Sequence, residues 1–242
     1  MKNLRLLFSI LTLSLILISS QNVFSQTVYG DGNVVKETRT LSSFKSIELN
    51  GVMNVYLKQG SNESAVIEAD KNIIPYIITK VNSDGELEIS SIENVNIKKS
   101  TKLNVYITLK DINKLENNGV GNLSSESKLD LNDLGIENNG VGNIDLDVNC
   151  NKLELENNSV GNTTLSGNID NVDIEHNGVG NIKAYDLIAD NLNIESNAVG
   201  NAEVNSQREI FITLNGMGNV YYKGSASVKK LEKNGFGNVK KM

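Results

Sequence analysis

From Asp111 onwards, apolar and polar residues alternate in short runs such as Ile144-Asp145-Leu146, Leu153-Glu154-Leu155 and Val172-Asp173-Ile174. Alternation with a period of two marks a strand with one buried face, and no eleven-residue stretch of the repeats carries a helical period. A four-residue signature punctuates the runs and recurs seven times: Gly119-Val120-Gly121-Asn122, Gly140-Val141-Gly142-Asn143, Ser159-Val160-Gly161-Asn162, Gly178-Val179-Gly180-Asn181, Ala198-Val199-Gly200-Asn201, Gly216-Met217-Gly218-Asn219 and Gly235-Phe236-Gly237-Asn238. Successive copies are 21, 19, 19, 20, 18 and 19 residues apart. Before each copy stands an aliphatic residue and, three places after it, an asparagine: Leu115/Asn118, Ile136/Asn139, Leu155/Asn158, Ile174/Asn177, Ile194/Asn197, Ile212/Asn215 and Leu231/Asn234.

A unit of two or three short strands without a helix cannot bury its apolar side alone, so consecutive units must stack. Nineteen residues at about 3.3 Å each close a coil of roughly 60 Å, and coils about 4.8 Å apart pair every strand with its neighbours above and below. The fold class expected is therefore all-β: a single-stranded, right-handed parallel β-helix, a solenoid with coils of about 19 residues, the hand being the usual one for parallel crossovers. A left-handed hexapeptide solenoid would place an aliphatic residue at every sixth position, which Leu134, Ile136, Val141, Ile144 and Leu146 do not. Within the signature, the first and third glycines are expected at positive φ in a sharp corner, with the central Val, Met or Phe pointing into the core. Asparagine tolerates the left-handed region and can bond to the same residue one coil away, which predicts two ladders, Asn118 to Asn234 and Asn122 to Asn238.

Residues 26–110 are less regular. They alternate in Ser46-Ile47-Glu48-Leu49 and Asn54-Val55-Tyr56-Leu57, and Gly51-Val52-Met53-Asn54 is a degenerate copy of the signature. Ser83-Asp84-Gly85 between two strand-like runs predicts a hairpin turn. This part is expected to supply the opening coils and a cap, since a bare first coil would expose a sheet edge. Residues 111–242 are the regular coils. At the other end, Lys2 and Arg5 precede an apolar run from Leu6 to Ile18, then Ser19, Ser20 and Val23-Phe24-Ser25, the pattern of a secretory signal peptide over residues 1–25. The run is too short to span a bilayer, so the exported chain is expected to begin near Gln26 with no transmembrane anchor. A lipoprotein cysteine is missing from Ser20 to Gln26. The address expected is the periplasm, the outer cell surface or the extracellular space.

Composition narrows the chemistry. The chain carries Cys150 as its sole cysteine and His176 as its sole histidine, so an intrachain disulfide is impossible, and cysteine- or histidine-based zinc sites have no ligand set. Cys150 reads as a buried thiol, and the place of His176 in the repeat is filled in other coils by Asn, Ser, Leu and Lys, which marks it as structural. Phe and Tyr are few and Trp is absent, so Leu, Ile and Val must build the core. The net charge of −6 argues against nucleic acid as a partner. It is unevenly spread: residues 111–205 hold 17 acidic residues against four Lys, and residues 220–242 hold six Lys against one acid. Glu116, Glu137, Glu156, Glu175, Glu195 and Glu232 each follow the core aliphatic and should form a column, interrupted by Thr213. Such a column is either a solvated face or a cation-dependent contact surface.

The residues Gly30-Asp31-Gly32-Asn33-Val34-Val35-Lys36-Glu37-Thr38-Arg39, then Phe44-Lys45-Ser46-Ile47-Glu48-Leu49 and Gly51-Val52-Met53-Asn54-Val55, resemble the head GIN domain family of putative auto-transporter adhesins. The likeness continues through Glu68-Ala69-Asp70, Pro75-Tyr76 and Leu103-Asn104-Val105-Tyr106-Ile107-Thr108-Leu109 into the Gly-x-Gly-Asn coils. It implies a single-stranded β-helix exported to the envelope or surface of a Gram-negative bacterium. Auto-transporters carry a C-terminal membrane barrel, whereas this sequence reaches Met242 directly after the last coil, so self-secretion is not expected.

The function expected is a non-enzymatic, adhesin-like binding module whose long solenoid surface meets a glycan or an envelope protein. The alternatives are a polysaccharide lyase or hydrolase of the β-helix type and a structural envelope protein. A lyase or hydrolase needs residues that break the repeat and converge in a cleft, whereas here the acids follow the repeat. No catalytic, cofactor-binding or metal-ligating residue set is expected. Of Tyr221 and Tyr222, adjacent in a strand, at most one can offer its ring to a sugar.

Overall fold

A computed structural model of the chain describes residues 26–242; the expected signal peptide lies outside the described residues. The molecule is all-β, a β-solenoid of about seven turns whose parallel bridges recur about 20 residues apart. Stacking puts like residues on like. Leu115, Ile136, Leu155, Ile174, Ile194 and Ile212 pair in sequence from coil to coil and are buried throughout. Leu134, Leu153, Val172, Leu192 and Ile210 form a second inward column beside them. Each buried Leu or Ile contributes roughly 1.5–3 kcal/mol by leaving water, so these columns hold the stack without a disulfide.

The short strands expected in each unit are fused. Single strands run through Ile144–Asn157, Thr163–His176, Ile182–Ser196 and Ala202–Leu214, the longest of 15 residues. Because each bend lies directly over the bend of the coil before, the ladder carries on around it, and strict in-out alternation persists through most of the length.

The same alternation corrects the expected orientation of the signature. Counting from inward Leu115, the inward places are Asn117, Gly119 and Leu123, while Asn118, Val120 and Asn122 face out. The central Val, Met or Phe therefore points to solvent. No side chain of that size fits inside this corner, where a Cβ on Gly140 would lie 2.5 Å from the carbonyl oxygen of Gly119. In the seven regular copies positive φ is confined to the third place, as at Gly121 and Gly142 (both 140°) and Gly180 (143°), so the first glycine there serves close approach alone; in the degenerate copy it is the first place, Gly51, that has positive φ (145°). The corner asparagines are not left-handed either; among the described residues only Asn94 and Lys99 are non-glycine residues with positive φ.

The first part of the chain builds its coils out of spatial order. Ser46–Asn50 and Asn54–Gln59 form a coil that contacts Lys114–Asn117 and Leu123–Ser125 on one side and Glu86–Ser91 and Leu103–Leu109 on the other. The chain thus lays one coil, adds the next below it, and then crosses to continue upward. Antiparallel strands complete the end: Val34–Thr40 pairs with Ser64–Asp70, which pairs with Leu103–Leu109. The turn at Ser83-Asp84-Gly85 joins antiparallel Ile77–Val81 to Glu86–Ser91. Arg39 ties this cap together by donating to the carbonyls of Ile77 and Ile74 and to Thr79 Oγ1. Asp70, fully buried, accepts from the backbone of Gly32 (2.7 Å) and Thr101 (2.7 Å) and from Thr101 Oγ1 (2.9 Å). Burial opposes its ionisation, but these hydrogen bonds hold its carboxyl below the usual range.

Candidate functional site

The outward places of the long strands fall into columns. Glu116, Glu137, Glu156, Glu175 and Glu195 pair in register, followed by Thr213 and Glu232. The structure extends the column at the N-terminal end through Glu48 and Glu88, which the irregular spacing of that segment conceals in the sequence. Parallel strands about 4.8 Å apart hold the carboxylates in single file.

Neighbouring asparagines aim them. Asn118, Asn139, Asn158 and Asn177 each donate from Nδ2 to the glutamate two residues earlier, at 2.8, 3.1, 2.9 and 2.9 Å. From Asn139 on, the same amide nitrogens also donate to the Oδ1 of the preceding coil's asparagine, and the chain of bonds runs unbroken to Asn234. In the second ladder each asparagine Oδ1 mainly accepts the backbone N–H of the next coil's asparagine, from Asn122 to Asn238. Where the regular coils begin, Lys114 donates to Glu116 at 2.7 Å and, with help from Asn118, keeps the Glu116 carboxyl below the usual range. A shallow depression of about 600 Å³ opens over Gly135, with Lys114, Glu137, Glu154, Glu156 and Asp173 among its walls.

A third amide column, not anticipated, lies inside. Asn117 donates to Asn138, Asn138 to Asn157, and Asn157 to Nδ1 of His176 at 3.1 Å. Nε2 of His176 then donates to the carbonyl of Gly180 at 3.1 Å, which makes the ring a neutral member of the ladder. Burial pushes its pKa down against those two bonds. The signal was present in the sequence: Asn117, Asn138 and Asn157 occupy the inward phase of the alternation, where a polar residue needs a partner. Cys150 is buried and its thiol is pushed up to about 11 by desolvation, so it stays protonated and unreactive near neutral pH.

Tyr221 and Tyr222 are both half-buried, and the cation beside them, Lys223, lies over the ring of Tyr185 at 5.0 Å. Near the cap, Tyr56 and Tyr106 stack with centroids 4.9 Å apart, and Glu68 accepts from Tyr106 and binds Lys102, both at 2.9 Å. Among the described residues there is no group of three or more His, Cys, Asp or Glu placed to hold a metal ion, and no helix is long and apolar enough to cross a membrane.

Known proteins share this architecture. A putative adhesin from Bacteroides fragilis NCTC 9343 is 29% identical, covering 89% of this chain and 100% of its own, with a TM-score of 0.85. Two proteins at 20% identity share the fold: a putative adhesin from Parabacteroides merdae ATCC 43184 (89% of this chain, 99% of its own, TM-score 0.63) and a putative lipid binding protein from Parabacteroides distasonis ATCC 8503 (89% and 100%, TM-score 0.67). No curated protein matches the chain. The family described as "Putative auto-transporter adhesin, head GIN domain" matches residues 43–226, three quarters of the sequence, and the chain belongs to that family.

Proposed function

We propose that this chain is an exported, non-enzymatic binding module of the bacterial envelope or surface, which presents the flat acidic and amide face of its solenoid to a surface glycan or an envelope protein. The observation that carries this reading is the in-register glutamate column with each of its central carboxylates aimed by an asparagine. An extended polymer laid along the stack would meet the same carboxylate-amide pair at four successive coils, from Glu116 to Glu175. Contacts that are weak singly then add along one ligand, as multivalent attachment requires. The adhesin description of the family and of the Bacteroides fragilis relative supports the same reading. The net negative charge of the face disfavours a nucleic-acid backbone as ligand.

Binding of the exported chain to a glycan array and to isolated envelope tests the proposal. Retention on one or the other, with the captured polymer recovered at its original length, is the expected result. Shortening of the polymer would replace the binding module with a lyase or hydrolase.

A further inference from the structure

The most exposed large apolar side chain of the described residues and a wide, partly apolar groove lie at opposite ends of one line. Val52, Val120, Val141, Val160, Val179, Val199, Met217 and Phe236 bridge from coil to coil and form a straight ridge along one corner, about 34 Å long at the coil spacing. Their exposure runs from 46% to 84%, the highest being Phe236 in the last coil. At the other end, beyond Val52, opens a groove of about 830 Å³, whose apolar walls include Val52, Met53, Val95, Ile97, Leu103 and Val120.

We infer that two copies of this chain pair antiparallel along the ridge, each Phe236 entering the other copy's groove. Placing Phe236 one step beyond Val52 fixes the register: Met217 against Val52, Val199 against Val120, Val179 against Val141, and Val160 against Val160 on the two-fold axis. A row of side chains one coil apart is matched by a row of the same pitch, and a second copy supplies it. The ridge exposes roughly 700 Å², above the largest patch of an ordinary monomer and near the 800 Å² per partner of a stable interface. The ladders flanking it, Asn118 to Asn234 and Asn122 to Asn238, are uncharged, so the ridge itself desolvates no ionised group; Lys99 and Lys102 lie in the wall of the groove.

Geometry selects the antiparallel arrangement, because Phe236 and the groove lie at opposite ends of the ridge and only antiparallel copies bring them together. Residues 220–242 carry six Lys and one acid, a net of +5, whereas residues 26–110 carry ten acids and ten Lys or Arg, a net of zero. Parallel pairing would set the two basic ends against each other, whereas antiparallel pairing sets each against a region of zero net charge in which Lys99 and Lys102 are the cations that line the groove. The contact closes on itself, so it yields a dimer and not a filament. It uses the corner and leaves the glutamate column on the adjoining flat face.

The test uses chains exported from the full 242-residue sequence, with Cys150→Ser as background. Under mild oxidation V160C should form a disulfide-linked dimer, V199C alone should stay monomeric, and V141C mixed with V179C should cross-link. In sedimentation equilibrium, Val160→Asp and Phe236→Ser should each weaken dimerisation at least tenfold while the melting temperature holds. Self-linking of V199C would mean parallel pairing and overturn the inference, as would a wild-type chain that remains monomeric at high micromolar concentration. A monomer that still binds glycan or envelope would overturn the dimer and leave the proposed function standing. A dimer that binds neither would do the reverse.

Discussion

Two asparagines at neighbouring places in the same repeat do different work. Asn177 is exposed and shares its bonds with Asn158, Asn197 and Glu175, all of which can turn to water if it is lost. Asn157 is fully buried and serves Asn138, Ser159 and His176 at once. Removing a buried partner leaves those groups unsatisfied at about 1–3 kcal/mol, whereas an exposed one costs no more than about 1 kcal/mol. Asn157→Ala should therefore lower the urea midpoint clearly more than Asn177→Ala, at unchanged slope. His176 adds a pH dependence. Its pKa lies below that of the unfolded chain, so the unfolded state binds the proton first and stability falls as pH drops below about 6.5. His176→Asn restores the residue used by the coils below and should abolish the part of the loss seen between pH 7 and pH 5. A melting temperature that falls equally in both proteins would remove His176 from the account.

At the scale of the coil, the corner depends on its third glycine. A Cβ on Gly180 would lie 1.9 Å from the carbonyl oxygen of Gly161, and its φ of 143° strains any other residue. The first place is crowded too, a Cβ on Gly178 lying 2.1 Å from the carbonyl oxygen of Ser159, but it carries no positive φ, and Ser159 and Ala198 occupy it in other coils. Gly180→Ala should destabilise by about 3 kcal/mol or more, and Gly178→Ala, which clashes but adds no φ strain, by less, which thermal unfolding of the two variants will show. The spacing of the signature made the coil and both outer ladders legible, because the repeat itself encodes which residues stack. Apolar character alone points Val120 inward, and here it misleads. The alternation from Leu115 through Asn117 and Gly119 already places Val120 outside, and a buried asparagine marks the phase more surely than an exposed valine.

For the whole molecule, the N-terminal cap was legible only as a need. The alternation of Ile47 and Val55 announces a coil, but nothing local says that Leu87 and Val105 stack beneath it while Leu115 and Leu123 stack above. That crossing is decided by pairings far apart in sequence, and the cap that follows from it seals one end of the stack. The regular coils then carry the columns on which the proposed function rests. Repetition is the working property of such a surface: no single carboxylate is special, and several must go before a polymer loses its grip. The most direct measurement compares envelope and glycan binding by the wild-type chain with binding by the triple variant Glu137→Gln, Glu156→Gln, Glu175→Gln. The column account predicts a variant with an unchanged or higher melting temperature, since like charges about 5 Å apart have been removed, and with binding reduced at least tenfold. Undiminished binding by a folded triple variant would contradict it.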